Sequence, residues 1–383
     1  MKEPTRLLHP KGGGRLYPTV NPPIERGSSL LLGSRQALYG ADTTYGRMGL
    51  SVQRELEASL CDLEGAEFAQ LTSNGLQACA LAIASLVRAG DHVLLADSLY
   101  GPTRRFGTRR LREMGVAHTR FPNDIGSNIA ELVRPETRLI VLESPGSLTF
   151  ELSDTPAIVD VAQSRNILTV FDNTWGAGVN HKPLALGVDV VIQALTKYPI
   201  GHSDAMGGAV LTQSKHLAVR IKHCAQDWGL SLQPDDAYLA LRGLKTLHVR
   251  LKEHERSAYE IAAWLDGRDE VDQILHPGRS DHPQHEIWKR DFSGACGLFS
   301  IVLKPATDAQ LDAFFESLRV FGLGFSWGGF ESLIIPCDEQ LDRRKEDPIH
   351  NRQGTLVRLQ IGLEATEDLI ADLERAFEAM RTA

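Results

Sequence analysis

The sequence predicts an α/β protein with a large, mostly parallel sheet, followed by a smaller α+β region. Two observations support this fold class. Short continuous runs of Val, Ile, Leu and Ala recur between residues 92 and 211, separated by segments of helix length, and such runs are typical of parallel strands covered by helices on both faces. After about Gln233 the pattern changes to fewer strand-like runs and longer helical stretches. We therefore predict an α/β domain at 50–240 and an α+β domain at 241–383.

The first 49 residues lack an apolar period. Glycine and proline punctuate them, most densely at Gly12-Gly13-Gly14 and Pro22-Pro23. A structureless stretch of this length is uncommon inside a compact domain, so it is either a disordered tail or an arm laid across another surface. The segment Thr43–Arg47 contains a tyrosine and an arginine, which favours the arm.

Regular elements are predicted from Ser51 onward. A helix follows from apolar residues at helical spacing up to Leu63, with Gly65 as its C-cap. An Ala-rich helix opens at Ser73-Asn74-Gly75 and ends near Gly90. The strands that follow are predicted at His92–Leu95, Leu139–Leu142, Leu168–Phe171, Val188–Ile192 and Ala209–Leu211.

The second region begins with one long predicted helix, marked by Leu239, Leu244, Leu247 and Leu251. Strands are predicted at Leu298–Leu303 and Leu356–Ile361, and helices at Gln310–Leu318 and Thr366–Met380. Thr366 is expected to cap the last helix, because acidic residues follow it where the helix dipole is positive.

Composition narrows the function classes. Among the 383 residues, 41 Lys+Arg stand against 49 Asp+Glu, a net charge of −8, which argues against nucleic-acid binding. No apolar run approaches the ~18 residues of a membrane span, and the N-terminus does not resemble a signal peptide. The 5 cysteines are scattered, and His276, His282 and His285 fit a polar loop better than a zinc site. We expect a cytoplasmic enzyme without a metal.

Polar residues follow the predicted strands where each one ends. Ligands in open α/β sheets bind beyond the carboxyl ends of the strands, and the residues found there are Tyr100, Glu143, Asp172, Thr196 and Lys197. The helix start at Gly75 is expected to lie opposite them.

This set has a chemical logic. A partly desolvated lysine such as Lys197 has a lowered pKa and can act as a nucleophilic amine. Asp172 could hold a pyridinium nitrogen protonated, Tyr100 could stack on a flat ring, and the helix start at Gly75 offers backbone N–H groups to a phosphate. Together these features describe a site for pyridoxal 5′-phosphate (PLP). Taken singly, each also has an ordinary interpretation as a surface charge, a helix cap or a turn.

Arg358 lies in a predicted strand, where alternation places it with Gln360 on the face opposite Val357 and Leu359. A rigidly mounted guanidinium suits a bidentate clamp on a substrate carboxylate. The alternative interpretation is a salt bridge at the edge of a sheet.

The segment from Thr196-Lys197-Tyr198-Pro199 to Ser203-Asp204 resembles the PLP-lysine signature of the Cys/Met-metabolism (trans-sulfuration) enzymes. The resemblance extends in order from about Thr43 to about Leu373, through Tyr45-Gly46-Arg47, Ser73–Leu76, Asp172-Asn173-Thr174, Ser326–Gly329 and Arg358. It implies PLP dependence, the fold of fold-type I PLP-dependent transferases, and a role in amino-acid metabolism.

The resemblance also implies roles for individual residues. Lys197 would bind the cofactor and move the Cα proton, Asp172 would pair with the pyridine nitrogen, and Tyr100 would stack on the ring. Gly75, Leu76 and Thr196 would contact the phosphate. Ser326, Trp327 and Arg358 would bind the substrate. Tyr45 and Arg47 would reach the site from a partner subunit. The N-terminal arm would then serve a homo-oligomer, usually a tetramer in this family.

Within the family, three segments resemble the β-eliminating members: Tyr100-Gly101-Pro102, Glu143–Ser147 and Ser326–Ser332. The resemblance implies α,β-elimination of L-cystathionine to homocysteine, pyruvate and ammonia, a step of methionine biosynthesis. The alternative is a cysteine-S-conjugate or cystine β-lyase, or a γ-eliminating enzyme. Two departures leave the substrate open, because Ala194 stands where serine is common and Phe330 where tyrosine is frequent.

Overall fold

The computed structural model describes residues 2–9, 19–41, 43–343 and 352–383. Its larger sheet has seven strands in the order β1-β7-β6-β5-β4-β2-β3. They are β1 Phe68–Thr72, β2 His92–Ala96, β3 Ala117–Phe121, β4 Thr137–Glu143, β5 Leu168–Asp172, β6 Val190–Gln193 and β7 Gly208–Thr212. The strands from β6 to β3 run parallel, whereas β7 is antiparallel to both β6 and β1. The predicted mostly parallel sheet is confirmed.

A smaller sheet follows, with five strands in the order β10-β11-β12-β9-β8. These strands are β8 Val271–Leu275, β9 Leu298–Leu303, β10 Gly322–Leu323, β11 Leu333–Pro336 and β12 Leu356–Gln360. All of its pairings are antiparallel except that of β10 with β11. The strand predicted at Leu298–Leu303 is confirmed at both ends, and the predicted C-terminal α+β region is confirmed with it.

Helices cover both sheets. In chain order they are α1 Glu3–Leu8, α2 Arg35–Gly40, α3 Ser51–Glu64, α4 Gly75–Ala84, α5 Gly101–Arg105, α6 Leu111–Glu113, α7 Thr155–Ser164, α8 Lys215–Asp227, α9 Pro234–Leu244, α10 Leu247–Leu265, α11 His285–Asp291, α12 Asp308–Ser317 and α13 Thr366–Thr382. Short 3₁₀ segments lie at Gly46–Met48, Asn123–Leu132, Pro183–Leu186 and Asp338–Gln340, and a π-helical turn at Phe106–Arg110 joins α5 to α6. None of the helices in the described residues combines the length and apolar character of a membrane span.

Apolar side chains form three buried clusters. One packs around the large sheet and another around the small sheet. The third contains Leu56 of α3 together with Leu298 of β9 and Leu356 of β12, so it lies between the two sheets. A shared apolar cluster of this kind holds the sheets together and fixes the position of the residues at their junction.

Three sequence predictions need correction. The single helix predicted through Leu239–Leu251 is two helices, because the backbone of Thr246 leaves the helical conformation (φ −111°, ψ 4°). The Arg250 guanidinium binds the Gly243 carbonyl and the Thr246 hydroxyl at this break. The Ala-rich helix ends at Ala84, several residues before Gly90. Thr366 begins the last helix but does not cap it, since Ala365 occupies the N-cap position and makes no side-chain hydrogen bond there.

The N-terminal segment contains more regular structure than its sequence suggests. The described residues include α1 and α2, which are short helices, and the side chain of Leu7 is buried. Gly12-Gly13-Gly14 and Pro18 lie outside the described residues. Tyr45 pairs with Ser29 through an isolated β-bridge, so the Thr43–Arg47 segment is ordered against its own chain.

Candidate active site

A cavity of about 820 Å³ opens where the carboxyl ends of β4 and β5 meet the loop before β11. Nine of the predicted site residues line it, namely Gly75, Leu76, Tyr100, Asp172, Thr196, Lys197, Ser326, Trp327 and Arg358. The residues predicted from the ends of strands and the arginine predicted from alternation within a strand therefore line the same cavity. The structure brings together side chains that are far apart in the sequence.

Lys197 lies in the turn that follows β6. Its Nζ donates a hydrogen bond to Ser326 Oγ at 2.9 Å and lies 5.1 Å from the centroid of the Trp327 ring. Desolvation by the surrounding protein lowers the pKa of Lys197 to about 8; the nearby Arg358 charge also lowers this pKa and Asp172 opposes the shift. A larger fraction of this amine is therefore neutral and nucleophilic near neutral pH than for an ordinary lysine.

Asp172 ends β5 and is buried. Its Oδ1 accepts hydrogen bonds from the backbone N–H of Thr174 at 3.1 Å and from the Thr174 hydroxyl at 2.5 Å, while the Cys79 thiol lies 3.7 Å from Oδ2. Burial raises the pKa of Asp172, and these hydrogen bonds oppose the rise. The carboxylate is held in one orientation, facing the cavity.

The start of α4 forms a cradle of backbone N–H groups. Asn74 caps the helix by accepting a hydrogen bond from the Gln77 N–H at 2.9 Å. A Cβ atom on Gly75 would lie 2.5 Å from the Cβ of Ala194, so only glycine fits. Thr196 closes the opposite side, where its hydroxyl accepts a hydrogen bond from the Gly207 N–H at 3.1 Å. The first turn of a helix is a favourable site for a phosphate.

Tyr100 lies at the cavity wall with 47% of its surface exposed. Its backbone N–H donates to Glu143 Oε2 at 2.6 Å, which fixes the loop after β2. Burial raises the pKa of Glu143 well above its usual range, and the neighbouring Asp172 carboxylate adds to the rise. Tyr100 thus lines the cavity from an anchored backbone.

Arg358 points into the same cavity from the middle of β12. The strand lies inside the small sheet, with Arg358 opposite Ile335 on one neighbour and Ser300 on the other. Arg358 is 9% exposed, and its guanidinium donates to the backbone oxygen of Ser326 at 3.0 Å. The alternative of a salt bridge at a sheet edge is therefore wrong.

Tyr45 and Arg47 lie elsewhere. They line a second cavity of about 1090 Å³, together with residues of α3 and α8, and neither lines the cavity that contains Lys197. The Arg47 guanidinium stacks 5.1 Å from the centroid of the Tyr45 ring. Within one chain the structure does not bring this pair to the lysine.

Sequence reasoning missed three contributors. Thr174 belongs to the Asp172-Asn173-Thr174 motif, but no pattern in the sequence assigned it a role. A hydroxyl two residues after an aspartate at a strand end is nevertheless a local signal for a hydrogen bond to that carboxylate. Glu143 was identified by position but not as the anchor of Tyr100. Cys79 carried no signal at all, because its contact with Asp172 depends on how α4 packs on the sheet.

Residues 6–378 match the family described as Cys/Met metabolism PLP-dependent enzyme, and the chain belongs to this family. It is 42% identical over 345 residues to the cystathionine beta-lyase of Bordetella avium, covering 90% of this chain and 86% of the relative. It is 39% identical over 369 residues to the cystathionine beta-lyase of Escherichia coli K12, covering 94% of this chain and 93% of the relative.

A solved structure has the same fold. The cystathionine gamma-lyase of Lactobacillus plantarum, complexed with L-serine, superimposes with a TM-score of 0.92 at 30% identity, covering 100% of both chains. The cavity described above fits the family's cofactor, PLP. It contains a desolvated amine at Lys197, a fixed carboxylate at Asp172, and a helix start at Gly75 where a Cβ would fill the space.

Proposed function

We propose that the chain is a cystathionine β-lyase, which converts L-cystathionine and water to homocysteine, pyruvate and ammonia. The observation that carries the proposal is that Lys197, Asp172 and Arg358 converge on one cavity. This arrangement supports PLP chemistry on an amino acid that is held by its carboxylate. The similarity to two cystathionine beta-lyases supports the choice of bond.

PLP, when bound, supplies an electron sink that stabilises negative charge at the substrate Cα. In our proposal Lys197 would hold it covalently, and Asp172 and Tyr100 would bind its ring. Gly75, Leu76 and Thr196 would hold its phosphate through the helix start and the neighbouring hydroxyl.

The protein's own groups then bind the substrate and move protons. The Arg358 guanidinium and the Ser326 loop orient the substrate carboxylate, with Trp327 as the adjoining wall. The neutral Lys197 amine accepts the Cα proton at Nζ. Lys197 or Tyr100 returns a proton to the departing thiolate, and water hydrolyses the remaining unsaturated amine to pyruvate and ammonia.

We also propose that the enzyme works as a cytoplasmic homo-oligomer, with Tyr45 and Arg47 entering the partner's site and a tetramer as the complete assembly. Tyr45 and Arg47 line a different cavity from Lys197 of the same chain, which supports this sharing. The corresponding organisation is an arm at 1–49, a PLP-binding domain at 50–240 and a C-terminal domain at 241–383. All strands of the large sheet fall within the second of these segments.

The decisive experiment adds L-cystathionine to purified, PLP-loaded protein and identifies the products by mass spectrometry. Pyruvate with homocysteine is expected. 2-Oxobutyrate with cysteine would show γ-elimination, the activity named for the structurally similar gamma-lyase. Pyruvate from other cysteine conjugates, with no reaction of L-cystathionine, would identify a different β-lyase substrate.

A further inference from the structure

We infer that Cys79 is a positioning residue for Asp172: its thiol donates a hydrogen bond to this carboxylate and helps to keep it ionised for the pyridine nitrogen of PLP. The inference rests on the proposed function, in which Asp172 would bind the cofactor ring. The Cys79 sulfur lies 3.7 Å from Asp172 Oδ2, within the reach of a thiol hydrogen bond. Both side chains are buried, and both residues line the cavity that contains Lys197.

The direction of this hydrogen bond follows from the protonation of the two groups. Burial raises the pKa of the Cys79 thiol well above its usual range, and the Asp172 charge adds to the rise. The sulfur therefore keeps its proton at neutral pH. An ionised carboxylate accepts hydrogen bonds and has no proton to donate, so the thiol is the donor and Oδ2 is the acceptor.

The two oxygens of Asp172 are used differently. Oδ1 accepts from the backbone N–H and the hydroxyl of Thr174, whereas among the described residues Oδ2 accepts only from Cys79. An ionised carboxylate offers about two lone-pair sites on each oxygen. Oδ1 is therefore fully used, and Oδ2 retains one site. That site is the one left for the pyridine nitrogen, on the same oxygen that Cys79 contacts.

A donor to this oxygen affects where a shared proton lies. Burial raises the pKa of Asp172, and the hydrogen bonds from Thr174 and Cys79 oppose the rise. Each such donor makes the carboxylate less basic, so a proton shared between Asp172 and the pyridine nitrogen lies nearer the nitrogen. A protonated ring is the better electron sink. Because a thiol is a weak donor, the contribution of Cys79 is smaller than that of Asp172 itself.

The position of Cys79 in α4 determines how the inference must be tested. Cys79 follows Gly75 by four residues in this helix, and residues at this spacing lie on one helix face, about 6 Å apart along the axis. In our proposal the start of α4 holds the phosphate, and its next turn brings Cys79 to Asp172. A displaced helix would therefore disturb both contacts, whereas loss of the thiol hydrogen bond would disturb one.

The test loads the full chain with PLP that carries ¹⁵N in its ring and records the ¹⁵N resonance together with the ³¹P resonance of the phosphate. Cys79→Val removes the donor and leaves no space for a water molecule in its place. We expect the ¹⁵N resonance to move toward that of a neutral pyridine ring, while the ³¹P resonance stays unchanged. Cys79→Ser restores a donor and should return the ¹⁵N resonance part of the way.

Two further variants make the test specific. Cys79→Ala also removes the donor, with a side chain too small to displace α4, and should move the ¹⁵N resonance in the same direction. Cys224→Val is the matched control, because this half-buried thiol of α8 lines neither cavity, and it should leave both resonances unchanged. An unchanged ¹⁵N resonance in Cys79→Val and Cys79→Ala would overturn the inference. Movement of both resonances that Cys79→Ser does not reverse would overturn it too, since the cause would be the packing of α4.

Asp172→Asn separates this inference from the proposed function. The wild-type resonance should be that of a protonated ring at neutral pH, and Asp172→Asn should move it further toward the neutral ring than any Cys79 variant. If Asp172→Asn leaves the resonance in place, the proposed role of Asp172 is wrong and the inference falls with it. If Asp172→Asn moves the resonance and the Cys79 variants do not, the role of Asp172 holds and the inference alone is wrong.

Discussion

The two sheets contribute to the cavity in different ways. The large sheet contributes Asp172 and Lys197 at or just after the ends of strands, where loops and backbone N–H groups surround them. The small sheet contributes Arg358 from the interior of a strand that has a neighbour on each side. Strand ends allow titratable groups to be tuned by varied surroundings, whereas an interior strand position fixes the direction of a side chain. In our proposal the large sheet supplies the residues that bind the cofactor and move protons, and the small sheet supplies the arginine that orients the substrate.

Removing the amine tests the contribution of the large sheet and has the largest expected effect. Lys197→Ala should lower kcat for L-cystathionine about 10³-fold or more, because the variant loses both the covalent attachment and the proton acceptor. The measurement is pyruvate release by the PLP-supplemented variant. The control is Lys252→Ala, an exposed residue of α10 that lines neither cavity. A Lys197→Ala enzyme with near wild-type turnover would contradict the assignment.

Changing the clamp tests the contribution of the small sheet. Arg358→Lys keeps the charge but loses the planar fork, which should cost about 2 kcal/mol and raise KM about 30-fold. Steady-state kinetics with L-cystathionine measures it, and Arg381→Lys on the exposed face of α13 is the matched control. If kcat falls and KM is unchanged, Arg358 does not bind the substrate in its ground state.

The ionisation of Lys197 depends on residues of both sheets. Its pKa of about 8, against an ordinary 10.5, means that the neutral amine predominates above about pH 8. The rate at which the apo chain captures PLP should therefore rise with pH to a plateau, with a midpoint near 8. Arg358→Met removes a positive charge that lowers this pKa, so the midpoint should move upward.

The measurement is the growth of visible absorbance of the bound cofactor after mixing, over a range of pH. A free lysine derivative with an ordinary pKa is the reference for the intrinsic behaviour of PLP. A wild-type midpoint near 10.5 would show that desolvation of Lys197 is absent in solution.

The smallest expected effect concerns the phosphate cradle. Ala194→Ser places a hydroxyl beside the start of α4 and should strengthen PLP binding by about 1 kcal/mol, about fivefold in Kd. Gly75→Ala provides the opposite case, since its Cβ would collide with Ala194 and should weaken binding. Equilibrium dialysis against PLP measures both. Weaker binding by Ala194→Ser would show that the cradle has no room for the hydroxyl.

The predictable parts of the fold are those with a continuous apolar pattern. β9 reads Leu-Phe-Ser-Ile-Val-Leu and is buried throughout, so its range followed from sequence. β1 and β3 were missed because they lie at the two edges of the large sheet and are only partly buried. The antiparallel direction of β7 was also invisible, since a buried strand reads alike in either direction.

The site residues also differ in whether a sequence pattern predicts them. Lys197 and Asp172 could be found from strand ends, and Arg358 from alternation within a strand. Ser326 and Trp327 lie in a loop without a period, and only the family resemblance pointed to them. Ser326 has a φ of 91°, a left-handed conformation that non-glycine residues seldom adopt, and no pattern in the sequence predicts it.

The bonds made by Arg343 bear on how the protein could be divided. This residue follows the strands β10 and β11 of the small sheet in sequence, yet it binds backbone oxygens of Asp97 and Ser147 in loops of the large one. A chain cut between α9 and α10 would leave each fragment with its own sheet and neither with a complete cavity. Activity in such a split protein would therefore report directly on fragment reassembly, because the wall that Arg343 fastens exists only when both pieces have joined.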